Sequence, residues 1–216
     1  MFADRRQAGR LLAEKLFSFA GAKPIIYALP RGGLPVADEV ANRLDAPLDL
    51  ILVRKLGAPG QEELAIGAIV DGAAPTTILH QDVIDGLKVP VSYIKSAETA
   101  ALSEIERRRK LYMKDRPALS PKGRTVIIVD DGLATGATME AAVVAMRKAS
   151  PAHIVVAAPV APRDTIERFK KIADDVVTLE TPYPFLSVGS WYLSFPQLSD
   201  ADVIETLARR HAEDGS

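Results

Sequence analysis

Five short apolar runs, each continuous rather than alternating, constrain this chain more than any other feature. They are "PIIYAL" (24–29), "LDLILV" (48–53), "TVIIVD" (125–130), "HIVVAAP" (153–159) and "DDVVTL" (174–179). A strand with one wet face alternates apolar and polar residues, whereas a strand covered on both faces reads as a continuous Val/Ile/Leu run. Amphipathic stretches lie between and after them, and predict helices over about 34–44, 92–112, 137–149, 163–172 and 199–212. Ser199 or Asp200 would cap the last. Strand–helix–strand alternation predicts right-handed βαβ units and a parallel sheet. The expected fold is therefore α/β: a Rossmann-like, five-stranded parallel sheet flanked by helices. The 216 residues suit one domain, 1–216, with its core at about 20–180.

Two segments interrupt the rhythm. Residues 54–79, "RKLGAPGQEELAIGAIVDGAAPTTIL", are too rich in Gly and Pro for a helix. They are expected to form a long mobile lid loop feeding a short antiparallel hairpin. Residues 182–198, "PYPFLSVGSWYLSFPQL", are aromatic and Pro-rich and predict an irregular hood, completed by terminal segments.

Composition removes several function classes. The chain has no cysteine, which excludes disulfides, thiolate nucleophiles and Cys-built metal sites. Its three histidines, His80, His153 and His211, show no metal-ligand spacing and look incidental. The formal net charge of −1 gives no global footprint for nucleic acid or an anionic membrane, so neither is expected as a partner. The start, "MFADRRQAGR", lacks the apolar segment of a secretory signal, and no apolar run approaches the ~20 residues that span a bilayer. A cytoplasmic protein is expected. The run "EIERRRKLYMKDRP" places Arg107, Arg108, Arg109 and Lys110 on successive helix positions, which reads as a solvated face, the alternative being that one or two reach an anionic ligand or a neighbouring subunit's site.

The chemistry is concentrated in "VIIVDDGLATGAT" (126–138). Val126–Val129 form a buried strand, so Asp130 and Asp131 stand at its carboxyl end, where open α/β sheets bind ligands. A Gly-rich turn follows, and a helix starts near Ala137. Its free N–H groups, with the hydroxyls of Thr135 and Thr138, form an anion cradle. Two carboxylates beside a phosphate cradle suit a sugar phosphate: the carboxylates take vicinal hydroxyls and the turn takes the phosphate. A capped strand–turn–helix with solvated aspartates is the plain alternative, but a cap needs only one such residue. Neither a Walker loop nor a dinucleotide fingerprint is present.

This stretch resembles the phosphoribosyl-pyrophosphate (PRPP) loop of the type I phosphoribosyltransferases. Over residues 24–195 the spacing is most similar to an uncharacterised branch of that family. The resemblance implies that Asp130, Asp131, Ala134, Thr135, Gly136, Ala137 and Thr138 hold the ribose and 5′-phosphate. It implies a pyrophosphate loop in "ALPRGGLP" (28–35), with Arg31, Gly32 and Gly33 on the anion and a cis peptide at Pro30–Arg31. It implies a closing basic residue in the lid, Arg54 or Lys55, so that Arg31, Arg54 and Lys55 carry the catalytic role. The hood "FLSVGSWYLSF" would face the acceptor through Phe185, Val188, Trp191 and Tyr192, or its aromatics would only pack the hood on the sheet. Mg²⁺ is the implied cofactor, met by Asp130 and Asp131 indirectly, through water and PRPP. A homodimer is the implied assembly.

The implied reaction transfers the 5-phosphoribosyl group to a nitrogenous base or amine and releases pyrophosphate. Two departures blur the acceptor. Many 6-oxopurine enzymes carry an Asp four residues after the first acidic residue, where this chain has Ala134. They also read the 6-oxo group with a Lys after the fourth strand, where residues 157–162 are Ala-Ala-Pro-Val-Ala-Pro. Glu62 and Glu63 in the lid are alternative bases. A PRPP- or nucleotide-binding regulator without turnover is the rival reading, and a different α/β sugar-phosphate enzyme with a similar loop is a third.

Overall fold

The computed structural model describes residues 1–71, 75–114 and 116–214, and for residues 62, 63 and 211–214 the backbone alone. In chain order come α1 (Arg5–Leu16), β1 (Ile25–Ala28), α2 (Gly33–Leu44), β2 (Leu48–Leu50), β3 (Val53–Ala58), β4 (Gln61–Val70) and β5 (Thr76–Leu79). There follow α3 (Gln81–Leu87), α4 (Val91–Met113), β6 (Thr125–Val129), α5 (Ala137–Lys148), β7 (His153–Val160), α6 (Arg163–Phe169), β8 (Asp175–Glu180) and α7 (Asp200–Asp214). The five apolar runs are β1, β2, β6, β7 and β8. They pair, all parallel, in the order β2-β1-β6-β7-β8.

The continuous apolar reading has a direct cause. Ile26 and Ala28 of β1, with Ile127 and Val129 of β6, face one core layer together with Leu12 and Leu16 of α1 and Val36 and Val40 of α2. Ile25 and Tyr27, with Val126 and Ile128, face a second layer with Met139 and Val143 of α5 and Phe169 of α6. The inner strands β1, β6 and β7 therefore bury both faces, whereas the edge strand β8 is only half-buried. Each fully buried Val or Ile side chain contributes ~1.5–3 kcal/mol relative to exposure; the one buried carboxylate in these runs, Asp49 of β2, is held by the Leu50 and Leu119 N–H groups. The candidate site lies just past the carboxyl ends of the strands.

Residues 53–79 differ from expectation. Instead of a loop and a short hairpin, β3, β4 and β5 form a three-stranded antiparallel sheet in that order, with β4 ten residues long. Pro59 and Gly60 make the turn between the paired residues Ala58 and Gln61, while Gly57 and Gly67 sit inside the ladder. Reading these glycines as breakers hid the strands. The sheet is anchored on both faces: Leu56, Ile66 and Ile69 join the first core layer, Ala68 and Val70 the second.

Two helices were absent from the sequence reading, α1 and α3. Asp4 caps α1 by accepting from the Gln7 N–H at 2.7 Å. Arg5, Ala8, Leu12 and Leu16 recur on its buried face. At the other end of the chain, Ser199 caps α7 as expected, its Oγ accepting from the Asp202 N–H while the Asp202 carboxylate accepts from the Ser199 N–H. Among the described residues no helix is long and apolar enough to cross a membrane.

Candidate functional site

The turn after β6 is held from below and outside. The Asp130 N–H donates to the Ala157 carbonyl at 3.2 Å and the Leu133 N–H to the Val160 carbonyl at 2.9 Å, so the loop continues along the end of β7. From α6, the Thr165 hydroxyl donates to the Ala134 carbonyl at 2.9 Å and Arg168 to the Thr135 carbonyl at 2.5 Å. Fixing these carbonyls outward leaves the N–H side of the turn for a ligand. Gly136 has φ +73°, a left-handed conformation that glycine adopts without strain. From it the chain enters α5, so the first N–H groups of that helix lie beside Thr138.

The opposite wall follows β1. The Pro30–Arg31 peptide is cis, as the resemblance implied. A Cβ on Gly32 would lie 2.2 Å from Asp131 Oδ2, so this loop touches the acidic pair in a way only glycine permits. One expectation for the loop needs correcting. The Gly33 N–H does not face outward: it donates to the Leu29 carbonyl at 3.0 Å. Of this loop's three expected donors, Arg31 and Gly32 line the cavity between the two walls.

The hood is built from both chain ends. Phe2 bridges Tyr192 in parallel, with the Phe2 N–H donating to the Trp191 carbonyl and the Leu193 N–H to the Phe2 carbonyl, both at 2.8 Å. Tyr192 is buried, its ring between Phe2 and Phe195, and its hydroxyl donates to the Asp131 carbonyl at 2.5 Å. Phe185, Val188 and Trp191 pack on the cluster of Phe2, Ala8, Val160 and Tyr192. Val188 also covers Gly132, where a Cβ would meet its Cγ1 at 2.4 Å. These four residues thus join hood to sheet, and Val188 lies directly on the PRPP-type loop.

Between these walls lies a cavity of about 480 Å³, lined by Arg5, Arg31, Gly32, Asp130, Asp131, Thr138 and Phe195, among others. A larger concavity, about 1540 Å³, opens beyond α6 past Thr135, Arg168 and Phe185. The smaller cavity is the one that brings the acidic pair, Arg5, Arg31 and Thr138 together, while Ala134 and Thr135 line the larger. Arg54 and Lys55 are exposed on β3 and do not line the cavity. The side chains of Glu62, Glu63 and His211 lie outside the described residues.

Two residues lining the cavity, Arg5 and Phe195, escaped the sequence reading as site residues, as did Asp200, which pairs with Arg31. Arg5 donates from Nε to Asp131 Oδ2 at 2.8 Å and from Nη1 to the Pro196 carbonyl at 2.9 Å, and its guanidinium lies 3.7 Å above the Phe195 ring. Its place on the buried face of α1 was the available signal. Asp200, at the start of α7, lies 3.5 Å from Arg31 and accepts from the Tyr112 hydroxyl at 2.5 Å. Phe195 supplies an aromatic wall, which only its membership of the aromatic hood hinted at.

Electrostatically the acidic pair is under strain. Burial, then the neighbouring Asp131 charge, pushes the Asp130 carboxyl well above the usual carboxylate range. The Asp130 Oδ1 accepts the Asp131 N–H at 2.8 Å, which works in the opposite direction. Burial also raises Asp131, and the Arg5 guanidinium opposes that rise. Two adjacent carboxylates held partly dry are ready acceptors for neutral hydroxyls. They are hard oxygen donors, and among the described residues no group of three or more His, Cys, Asp or Glu side chains could hold a metal. That donor set suits a cation that keeps most of its waters and meets protein carboxylates sparingly.

A family model, the phosphoribosyl transferase domain, matches residues 4–189. The chain belongs to this family. Two curated Mycobacterium tuberculosis proteins, from strains CDC 1551 / Oshkosh and ATCC 25618 / H37Rv, are each named "Putative phosphoribosyl transferase". Each is 43% identical over 213 residues, covering 99% of this phosphoribosyl transferase chain and 48% of its own length. The chain thus spans about half the length of the curated relatives it matches. The crystal structure of TT1426 from Thermus thermophilus superposes with a TM-score of 0.83 at 42% identity, covering 97% of this chain and 98% of that one. The matched region contains the loop after β1, the acidic turn and the hood as far as Gly189, while Phe195–Leu198 of the cavity wall lie beyond it.

Proposed function

We propose that this chain is a PRPP-dependent phosphoribosyltransferase acting on a nitrogenous base or amine. One observation carries the reading: the acidic turn after β6 and the Arg31–Gly32 loop after β1 are in contact at a single cavity, with the anion cradle of α5 beside them. Asp130 and Asp131 accept hydrogen bonds from the ribose hydroxyls. The N–H groups of 135–138, with the Thr135 and Thr138 hydroxyls, hold the 5′-phosphate. Arg31 and the Gly32 N–H hold the pyrophosphate.

The reaction forms a C1′–N bond and breaks the C1′–O bond, with the electron pair leaving on pyrophosphate. The acceptor surrenders a proton to solvent or to a base that position 134, an alanine, does not provide. The protein's own work is to orient the ribose, fix both anionic ends and exclude water, which are positioning and electrostatic tasks. Mg²⁺, bound through water and PRPP oxygens near Asp130 and Asp131, would neutralise charge on the leaving group. Arg54 or Lys55, exposed on β3, would act only through a local movement toward the cavity, because the sheet itself is anchored in both core layers.

The test is titration calorimetry with PRPP and Mg²⁺, followed by pyrophosphate release across bases and amines. No PRPP binding sinks the proposal. Binding without turnover on any acceptor favours a PRPP-sensing regulator. The double variant Asp130→Asn/Asp131→Asn should lose PRPP binding with its circular dichroism unchanged; wild-type affinity in that variant refutes the assignment of the loop.

A further inference from the structure

Arg5 belongs to no motif of the ribose site, yet it is the most enclosed cation beside it. Its residue exposure is 8%, and the Arg5–Asp131 pair is 9% and 13% exposed at its side chains. The guanidinium is fixed in three directions. Nε meets Asp131 Oδ2, Nη1 meets the Pro196 carbonyl, and the face rests on Phe195. Phe195 in turn stacks against Tyr192, whose hydroxyl holds the Asp131 carbonyl. Asp131 is therefore gripped at both its side chain and its backbone by a unit made from the two ends of the chain. Arg5 stands at the first position of α1, which is set by the Asp4 cap and by the packing of Ala8, Leu12 and Leu16.

We infer that Arg5 is a positioning residue for the ribose-binding carboxylate, clamping Asp131 so that its orientation toward sugar hydroxyls depends on docking of the N-terminal helix and hood. The inference rests on the proposed PRPP site. A planar, multiply bonded guanidinium suits the task because it fixes the carboxylate plane, which a lysine point charge does not. Without it, the Asp131 carboxylate, which packs against Gly32, loses the side-chain partner on Oδ2 that fixes its plane. Arg5 acts through Asp131, so ligands with a ribose should feel its loss and ligands without one should not.

The experiment is calorimetry of wild type, Arg5→Gln and Arg5→Lys with three probes in Mg²⁺ buffer: PRPP, ribose 5-phosphate and inorganic pyrophosphate. Losing one charge-assisted hydrogen bond corresponds to roughly a 10- to 100-fold change. Arg5→Gln should therefore bind PRPP and ribose 5-phosphate roughly 10- to 100-fold more weakly, with pyrophosphate affinity unchanged. Arg5→Lys should recover part of the loss, and it serves as the test if Arg5→Gln does not fold. Equal weakening for all three probes would mean a collapsed hood or a direct anion contact and would overturn the inference, as would unchanged PRPP affinity. Either of those results leaves the proposed function standing, whereas wild-type protein that binds no PRPP overturns both.

Discussion

Arg31 Nη1 lies 3.5 Å from Asp200 Oδ1, so the cation offered to pyrophosphate is already engaged by the first turn of α7. The Tyr112 hydroxyl donates to the same oxygen, and its own pKa is pushed up to about 12 by burial and by that bond. An anion must compete with Asp200 for Arg31. Both side chains are about one-third exposed, so the pair is a weak one, worth ~0.2–1 kcal/mol. Asp200→Asn should release Arg31 and tighten inorganic pyrophosphate by up to about 5-fold. Calorimetry with pyrophosphate decides it; equal or weaker binding would show that Asp200 does not compete.

Gly32→Ala probes the contact between the two walls. The backbone at Gly32 is right-handed helical, which alanine accepts, so the change adds no backbone strain. The added Cβ would fall 2.2 Å from Asp131 Oδ2, forcing that carboxylate to swing and break its bond to Arg5. PRPP affinity should drop at least ~10-fold, the effect of losing one charge-assisted hydrogen bond, and the melting temperature should fall as well because Arg5 loses a buried partner. A large fall in melting temperature with intact affinity would contradict this account.

These two relationships mark where sequence reasoning stops. The inner parallel strands were readable because burial on both faces forces continuous apolar runs, and the edge strands followed from their shorter apolar runs. The acidic turn was readable because its residues are contiguous and their chemistry is local. Arg5 was not, since its partner Asp131 is 126 positions away and nothing near Arg5 announces it. The Gly33 donor was misjudged because whether an N–H is free depends on how the chain folds back, here onto Leu29. The lid sheet was hidden because its glycines sit within paired strands, where only the ladder reveals their place. Tyr192 lies in an irregular segment with no periodicity, so its burial could not be read from pattern.

The acidic pair should also trade stability for function. Folding raises the Asp130 carboxyl well above its unfolded value, chiefly by burial and then by Asp131. A raised group favours the folded state below the unfolded pKa, and that contribution is lost as pH rises through the folded pKa. At pH values above the unfolded pKa the buried Asp130 carboxyl is therefore destabilising, and Asp130→Asn removes that penalty while keeping an oxygen for the Asp131 N–H. The variant should melt higher than wild type at pH 7–8, by ~2–4 °C for each kcal/mol relieved. Its advantage should shrink as pH falls toward the ordinary carboxylate range. Melting curves across pH check both; an advantage that grows on acidification would refute the sign.

Asp38 of α2 ties the chain ends to the sheet that carries the site. It is fully buried, with Arg6 of α1 at 3.1 Å, Arg209 of α7 on the same oxygen and Arg210 Nη1 at 3.6 Å from the other. Arg210 is itself only 7% exposed and also donates to Asn42 and to the Ala46 carbonyl at 2.7 Å. A buried charge set of this kind adds little net stability against an apolar replacement, but removing one partner leaves the other uncompensated at a cost of ~3–5 kcal/mol. Asp38→Asn preserves volume, so the loss it causes is electrostatic and not that of a cavity. Denaturant unfolding should show a decrease of that size, and the melting temperature should fall roughly 10 °C. Adding Arg210→Met to Asp38→Asn should recover part of the loss, because the buried cation that lacked its partner is then gone. If the double variant is as unstable as the sum of the singles, Asp38 and Arg210 are energetically independent and this account of how α7 is held fails.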